Sequence, residues 1–536
     1  MKLLNTVSIL SLATFIHGDW QFRSRPDLSP PKLNITIDAT EETDNGYLFI
    51  APFSGFKEGG PSHGPRQSAP YIFTDKGELV WSGFGIFSGW PANFQKGVIN
   101  GEDVLFALEG THNPDYGHGH GHWTFLNKHY DQVGILRAGN HKISDKHELH
   151  IVNGKTALLQ VYQPVPRDLS AFGGKKNQQW VVDSIFQELD IETGEVLFEW
   201  SSLDHVSPAD SVLPVNPGHA GSGFNSSDAW DYFHINSVDK DEKGDYVISA
   251  RNAASLYKID GKTGEIIWKL GGLPDITSSD FEYQNWNFSF QHHARFLPRN
   301  GEKEIISFFD NSAQGTEDAN GGEVHYNSHS SGKIVELNSK TKKAKLLYNA
   351  IPPDNLLAKS QGSTQVLENG NVLVNWGSEG AVTEFNENGK PIFHAYLDSG
   401  KLFEQVENYR AFKYDWTGQP SEKIAVVTEI TNDDKSIVYV SWNGDTETKS
   451  WEFYAIESNG KQKFLGEKER SGFETSIELD GKYEKIIVVS RGSNGKTLGT
   501  SDISKVYEQV LPANDEGENS NFNYFKWKSL FQTIFF

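Results

Sequence analysis

The stretch Leu256–Leu270, LYKIDGKTGEIIWKL, is a β-rich run, a polar turn and a second β-rich run. Its aliphatic and aromatic residues suit a pleated, half-buried surface. Asp260 can fold its short side chain back onto the turn, and Gly264 can take the positive φ of a tight reversal. The same grammar occurs five more times: YIFTDKGELVW at Asp75, WTFLNKHYDQVGIL at Asp131, FQELDIETGEVLFEW at Asp190, IVELNSKTKKAKLLY at Asn338 and VTEFNENGKPIFHAY at Asn386. Each unit follows another strand-like run, such as DYVISAR or EIISFFDN, and most follow a second, such as FHINSV or HHARFL. Four strands per unit, six units in a row, predict an all-β fold: a six-bladed β-propeller within residues 19–415. A β-sandwich is the alternative, but it gives no natural account of six copies.

After NYRAFKYDWTGQP the grammar changes. Residues 420–507 hold short alternating runs, among them KIAVVTEI, SIVYVSWNG and KIIVVSRG. They predict a small C-terminal antiparallel β-sandwich of immunoglobulin type. Residues 508–536, with PANDEGENSN, read as a flexible tail. At the other end, Lys2, the apolar run Leu3–Ile16 and Gly18 read as a signal peptide over residues 1–18, which predicts a secreted, extracellular protein. A buried or disordered N-terminus is the alternative. No other segment has about 18 apolar residues in a row, so no membrane anchor is expected.

Composition narrows the classes. The formal charge of −22 argues against nucleic acid or an anionic membrane as partner. With no cysteine, stability must come from a large core or a closed architecture. Asn34, Asn225 and Asn287 begin Asn-X-Ser/Thr triplets and are the candidate glycosylation sites.

The chemistry-bearing residues are histidines. His147 in DKHELHIV, His234 in DYFHINSVDKD and the pair His292–His293 in WNFSFQHHARFLP all begin first strands of successive units. In a propeller those strands line the central channel, so the register brings the three places to one axis, beside Asn236 and Gln291. A single histidine is more simply a hydrogen-bonded packing residue; three at equivalent places read as a site. Imidazoles can bind a metal or act as base and nucleophile. The nearby carboxylates follow no familiar metal spacing, so no metal and no cofactor are assigned. His118, His120 and His122 in YGHGHGHW would form a metal clamp only if fully extended; the glycines read instead as a close backbone approach.

DYFHINSVDKDEKGDYVISARN, FQHHARFL, SFFDNS and NWGSEGAVTEFNENGKPIFHAYL, together with WQFRSRPDLSPPKLNIT and NYRAFKYDWTGQP, resemble the arylsulfotransferase family in its fungal secreted branch. The resemblance runs from about Trp20 past Trp451. It implies a six-bladed propeller and sulfuryl transfer from an aryl sulfate to a phenol, without a nucleotide donor. The partners are then small-molecule aryl sulfate and phenol. A channel histidine attacks sulfur, and further histidines and an arginine hold the oxygens. By the same resemblance His234 and His292 are catalytic, His293 stands where Asp is common, and His329 in NSHSSGKIVEL is the nucleophile, with His325 as its alternative. Asn236, Gln291, His293, Asn311 and Arg410 form the implied substrate-binding set. The family's arginine falls after FDN, where this chain has none between Arg299 and Arg410; Arg251, Arg295, Arg410 or Lys333 are the candidates to replace it. The rival function is a non-catalytic secreted propeller binding an aromatic or glycan ligand, with Trp90, Trp286 and Trp376 as stacking faces. A quinone-dependent oxidoreductase is a third reading and would need a Ca²⁺ site.

Overall fold

The computed structural model describes residues 19–55, 65, 67–113, 117–215, 220–316, 323–398 and 406–508. The proposed signal peptide and residues 509–536 of the proposed tail lie outside them, while Glu508 closes a strand. No helix among the described residues is long and apolar enough to cross a membrane.

Among the described residues, those up to Tyr414 build six antiparallel sheets of four strands, one carrying a fifth at its edge, and two small two-stranded sheets. The inner strand of each is labelled here in chain order: β1 (Trp90–Ile99), β2 (Leu149–Val152), β3 (Ile235–Lys240), β4 (His292–Asn300), β5 (Ser363–Val366) and β6 (Phe412–Tyr414). Sheets meet in succession, and the last closes on the first through β6, which pairs with Tyr47–Ile50 from the other end of the chain. The cores lie between neighbouring sheets. Phe49, Trp81, Phe94 and Leu105 fill one gap, Phe106, Leu149 and Leu159 the next, and Phe186, Trp200 and Tyr257 a third. This explains why strands such as Tyr246–Ala250 and Ser255–Ile259 read as apolar without alternation: both faces are covered.

The six turns sit where the repeats put them. Asp260 Oδ1 accepts from the amides of Lys262 (2.9 Å) and Thr263 (2.8 Å), and Asp190, Asn338 and Asn386 act likewise. In the first two sheets the role passes to Thr74 and Asn127 rather than to Asp75 and Asp131. Those side chains stand at the first turn position, where an oxygen reaches the amide two residues on.

Residues 425–508 form two more four-stranded sheets around Val438, Val440, Trp451, Phe453 and Val488. The expectation of purely antiparallel pairing is corrected at one edge. Lys505–Glu508 runs parallel to Ala425–Ile430, because the chain reaches it by crossing from the other sheet and not by a hairpin. This unit docks on the ring through Asn443, whose amide bonds the Ser82 backbone in both directions, and through Tyr130 Oη on Gly444 O (2.7 Å).

Candidate active site

Residues at the leading ends of the inner strands are turned by local backbone geometry. Asn93, His234, His293 and Gln361 adopt φ of 55°, 56°, 57° and 65°. The left-handed region costs a non-glycine residue roughly 1–3 kcal/mol and re-aims its side chain. Ladder irregularities fall beside three of them, in β1, β3 and β4.

The result is a buried histidine pair. His147, two residues before β2, and His234, just before β3, set their Nε2 atoms 3.2 Å apart. The rings are perpendicular (88°) with centroids 4.8 Å apart. Each ring is fixed from behind. His147 Nδ1 bonds Asp145, whose other oxygen takes the Gly119 amide at 2.7 Å. His234 Nδ1 lies 2.5 Å from Asp231 Oδ2, an oxygen shared with His118 Nε2 at 2.8 Å. Tyr162 stacks on His118 (4.2 Å) and on His234 (5.2 Å). Burial pushes His147 well below the usual imidazole pKa, and the neighbouring His234 adds to this. Burial also lowers His234, against the pull of Asp231. Burial alone would raise Asp231, but His234 and His118 hold it far below the carboxylate range. Both Nδ1–H groups are therefore committed to carboxylates, and two Nε2 lone pairs face each other.

His292 opens β4 and stands on its own support. Its Nδ1 lies 2.7 Å from Asn311 Oδ1, and the Asn311 amide nitrogen donates to Ala358 O and Gln361 O, each at 3.0 Å. Asn311 can then only accept from the ring, so the proton is on Nδ1 and the lone pair on Nε2. Nε2 makes no hydrogen bond among the described residues. Burial drives His292 well below the usual imidazole pKa, helped by the Arg251 guanidinium, which also depresses His234. Arg251 thus acts on this histidine through its charge, while its Nη1 donates to Asn252 Oδ1 (2.9 Å) and its Nη2 to Lys359 O (3.0 Å). Its sequence position, directly after β-rich YVISA, gave it no more weight than the other candidates. Tyr409 bridges the set edge-on, 5.3 Å from His147 and 6.4 Å from His292.

His293 goes elsewhere. Adjacent strand residues point to opposite sides, and its ring packs on Phe412 (5.5 Å) with Nδ1 at 3.1 Å from Thr364 O. It lines a cavity of about 480 Å³ at the far ends of the inner strands, with His150, Arg295 and Tyr414. The expectation that the two histidines act together is corrected on this ground. Between the two ends lies a buried ion network: Glu148 bonds Arg410 Nη1 (2.8 Å) and Arg295 Nη2 (2.8 Å). Arg410 is further spent on Asn236 O (2.7 Å). Gln291 clamps the sheets, its amide donating to Ser249, Ala250 and Ser255, while Asn236 donates to Gln291 O (2.7 Å). In this structure Asn311, Gln291, Asn236 and Arg410 therefore hold the site's frame.

His329 is half-buried on the loop before Ser331–Asn338 and bonds Ser328 Oγ (3.1 Å); no hydrogen bond or ring contact joins it to the buried histidines. His325 is exposed. Lys333 is paired with Asp310 (2.9 Å). Of the three histidines in YGHGHGHW, His118 faces Asp231, His122 faces Glu109 and His120 is exposed, so they form no clamp. Its glycines do mark a close approach: a Cβ on Gly121 would meet Glu109 O at 2.3 Å, and one on Gly110, opposite it on the neighbouring strand, would meet His120 O at 2.1 Å. Gly110→Ala should cost about 1–3 kcal/mol, read as a lowered urea midpoint, and displace His118 from Asp231. Trp376 is core, Trp90 stacks on His112 (4.6 Å) and Trp286 packs tilted against Tyr283 (4.3 Å). Asn225 is exposed; Asn34 and Asn287 are half-buried, and Asn287 Oδ1 is engaged by Asn327. The sequence reading missed Asp145, Asp231, Glu148, Tyr162 and Tyr409. Asp145 and Asp231 sit two and three residues before a histidine, the one local signal that was there to use.

Among solved structures the chain is similar to a protein of unknown function from Bacteroides caccae, at 11% identity, covering 69% of this chain and 99% of that one, TM-score 0.38. It is also similar to hydrazine synthase from Kuenenia stuttgartiensis (10% identity, 82% and 96% covered, TM-score 0.32) and to the GH43 protein BlXynB from Bacillus licheniformis (9%, 78% and 90%, TM-score 0.30). No curated protein matches. The family model described as Arylsulfotransferase (ASST) matches residues 95–398, a span that carries His118, His147, Asp231, His234, Arg251 and His292. The chain belongs to the arylsulfotransferase (ASST) family.

Proposed function

We propose that this protein transfers a sulfuryl group from an aryl sulfate to a phenol through a histidine, and that His292 is the nucleophile. The observation that carries the reading is the state of that ring: buried, neutral, with Nδ1–H fixed by Asn311 and the Nε2 lone pair uncommitted beside Arg251. Nε2 attacks sulfur, the sulfur–aryl-oxygen bond breaks, and the aryl oxide leaves and takes up a proton. The acceptor phenol then gives up its proton, its oxygen attacks the same sulfur, and the nitrogen–sulfur bond breaks to return neutral His292. Charge spreads over three oxygens in each step, which fixed cations stabilise. Arg251 takes the part for which the family's arginine is missing. His234 and His147 form the adjoining wall. The six sheets are read as propeller blades within residues 19–415, the paired sheets of 420–507 as an immunoglobulin-like sandwich, and export follows from residues 1–18.

The test is release of a chromogenic phenol from its sulfate ester, with and without an acceptor phenol. Release that depends on acceptor, with the sulfated acceptor found by mass, is the expected result. Tight binding of aryl sulfates with no release would favour a binding scaffold.

The pH dependence is set by the same burial. Arg251, Tyr409, His147 and His234 face His292, and its lowered pKa keeps it unprotonated where an ordinary imidazole is half-charged, near pH 6.5. Activity should hold from about pH 8 to about pH 6, with the acid limb lower still. A half-loss at pH 6.5 in kcat/KM would contradict this.

A further inference from the structure

The His147–His234 contact is incomplete as it stands. Both Nδ1 atoms carry their proton toward a carboxylate, so two neutral nitrogens face each other at 3.2 Å with nothing to attract them. We propose that His147 and His234 hold one divalent, zinc-like metal ion between their Nε2 atoms.

The geometry supports an ion over a hydrogen bond. Zinc–imidazole bonds are about 2.0–2.1 Å long, so a 3.2 Å separation corresponds to an N–metal–N angle of about 100°, close to tetrahedral. Ring centroids would then lie about 5 Å apart, whereas a straight N–H···N bond of that length places them about 5.5 Å apart. They lie 4.8 Å apart. The outer shell agrees as well. A metal-bound histidine characteristically gives its other N–H to a carboxylate, which fixes the tautomer and raises its basicity. Asp145 and Asp231 do this for the two rings, and both are buried. His118, Asp231 and His234 also gather closely, but there both imidazole nitrogens already meet one Asp231 oxygen at hydrogen-bond distance. Two coordination positions remain for water or an oxyanion.

This inference does not depend on the sulfuryl-transfer reading, since it is tested by binding and not by turnover. Untagged protein, dialysed against chelator, is titrated with ZnCl₂ by calorimetry, and X-ray absorption is recorded on the wild type loaded with one equivalent. One Zn²⁺ per chain is expected, with imidazole nitrogens at about 2.0 Å. His147→Gln should weaken it at least a hundredfold; His118→Gln, which only loosens Asp231, should do so by about tenfold or less. No binding overturns the proposal. So does binding indifferent to His147→Gln, which places the ion elsewhere among the 18 histidines, or binding lost in His118→Gln alone, which moves it to the His118–Asp231–His234 group. Should His147→Gln fail to fold, absorption without imidazole scattering in the wild type is the overturning result.

Discussion

His292→Gln should lower aryl sulfate turnover by about a thousandfold or more, while His329→Gln should leave it within about threefold. The contrast follows from surroundings and not from residue type. His292 is buried, with one nitrogen tied to Asn311 and that amide tied in turn to two backbone carbonyls. A nucleophile so held loses no rotational freedom in the attack, and its lone pair has one direction to take. His329, which motif resemblance makes the nucleophile, is half-buried beside Ser328. Asn311→Ala should show a smaller loss, with a shifted pH profile, because the ring would keep its nitrogen but lose its fixed tautomer. Equal losses in the His292 and His329 variants would contradict this assignment.

Glu148→Ala should cost about 3–5 kcal/mol of stability, the largest single loss expected in the ring of sheets. Glu148 and Arg410 have fully buried side chains, and Arg295 is close to it. Removing that carboxylate takes the direct ion-pair partner from both guanidinium groups in a water-poor interior. Burial alone would raise the Glu148 pKa, but Arg295 and Arg410 pull it below the ordinary value. A depressed carboxylate contributes stability above its unfolded pKa of about 4.3, lost as pH falls through the folded value. Wild-type stability should therefore fall below about pH 4, and the Glu148→Ala variant should fall less steeply there. Urea unfolding at pH 7 and pH 4 reads both; a loss under about 1 kcal/mol at pH 7 would mean that water reaches the network.

The sheets were legible because their signals are local. Turn residues such as Asp190, Asp260, Asn338 and Asn386 act within a few positions of themselves, and the apolar runs between them register directly as strands. The shared placement of His147, His234 and His292 followed from repeat register. What that register could not supply is direction. His292 and His293 read as a pair, yet strand alternation and a positive φ carry them to different ends of the inner strands. Nor could it supply partners from distant sequence: Arg410 meets Glu148 across 262 positions, and His234 meets His147 across 87. The same distance hid Arg251, whose charge lowers the pKa of His292 at the start of the next sheet.

Transfer through His292 requires a covalent sulfuryl group on its ring nitrogen. The measurement is rapid acid-free quench of enzyme with excess aryl sulfate and no acceptor, followed by intact mass and then peptide mapping under alkaline conditions. One added sulfuryl group per chain on the peptide containing His292, absent in His292→Gln and discharged by added phenol, is the predicted result. An adduct on another histidine, or turnover with no adduct, would contradict the account.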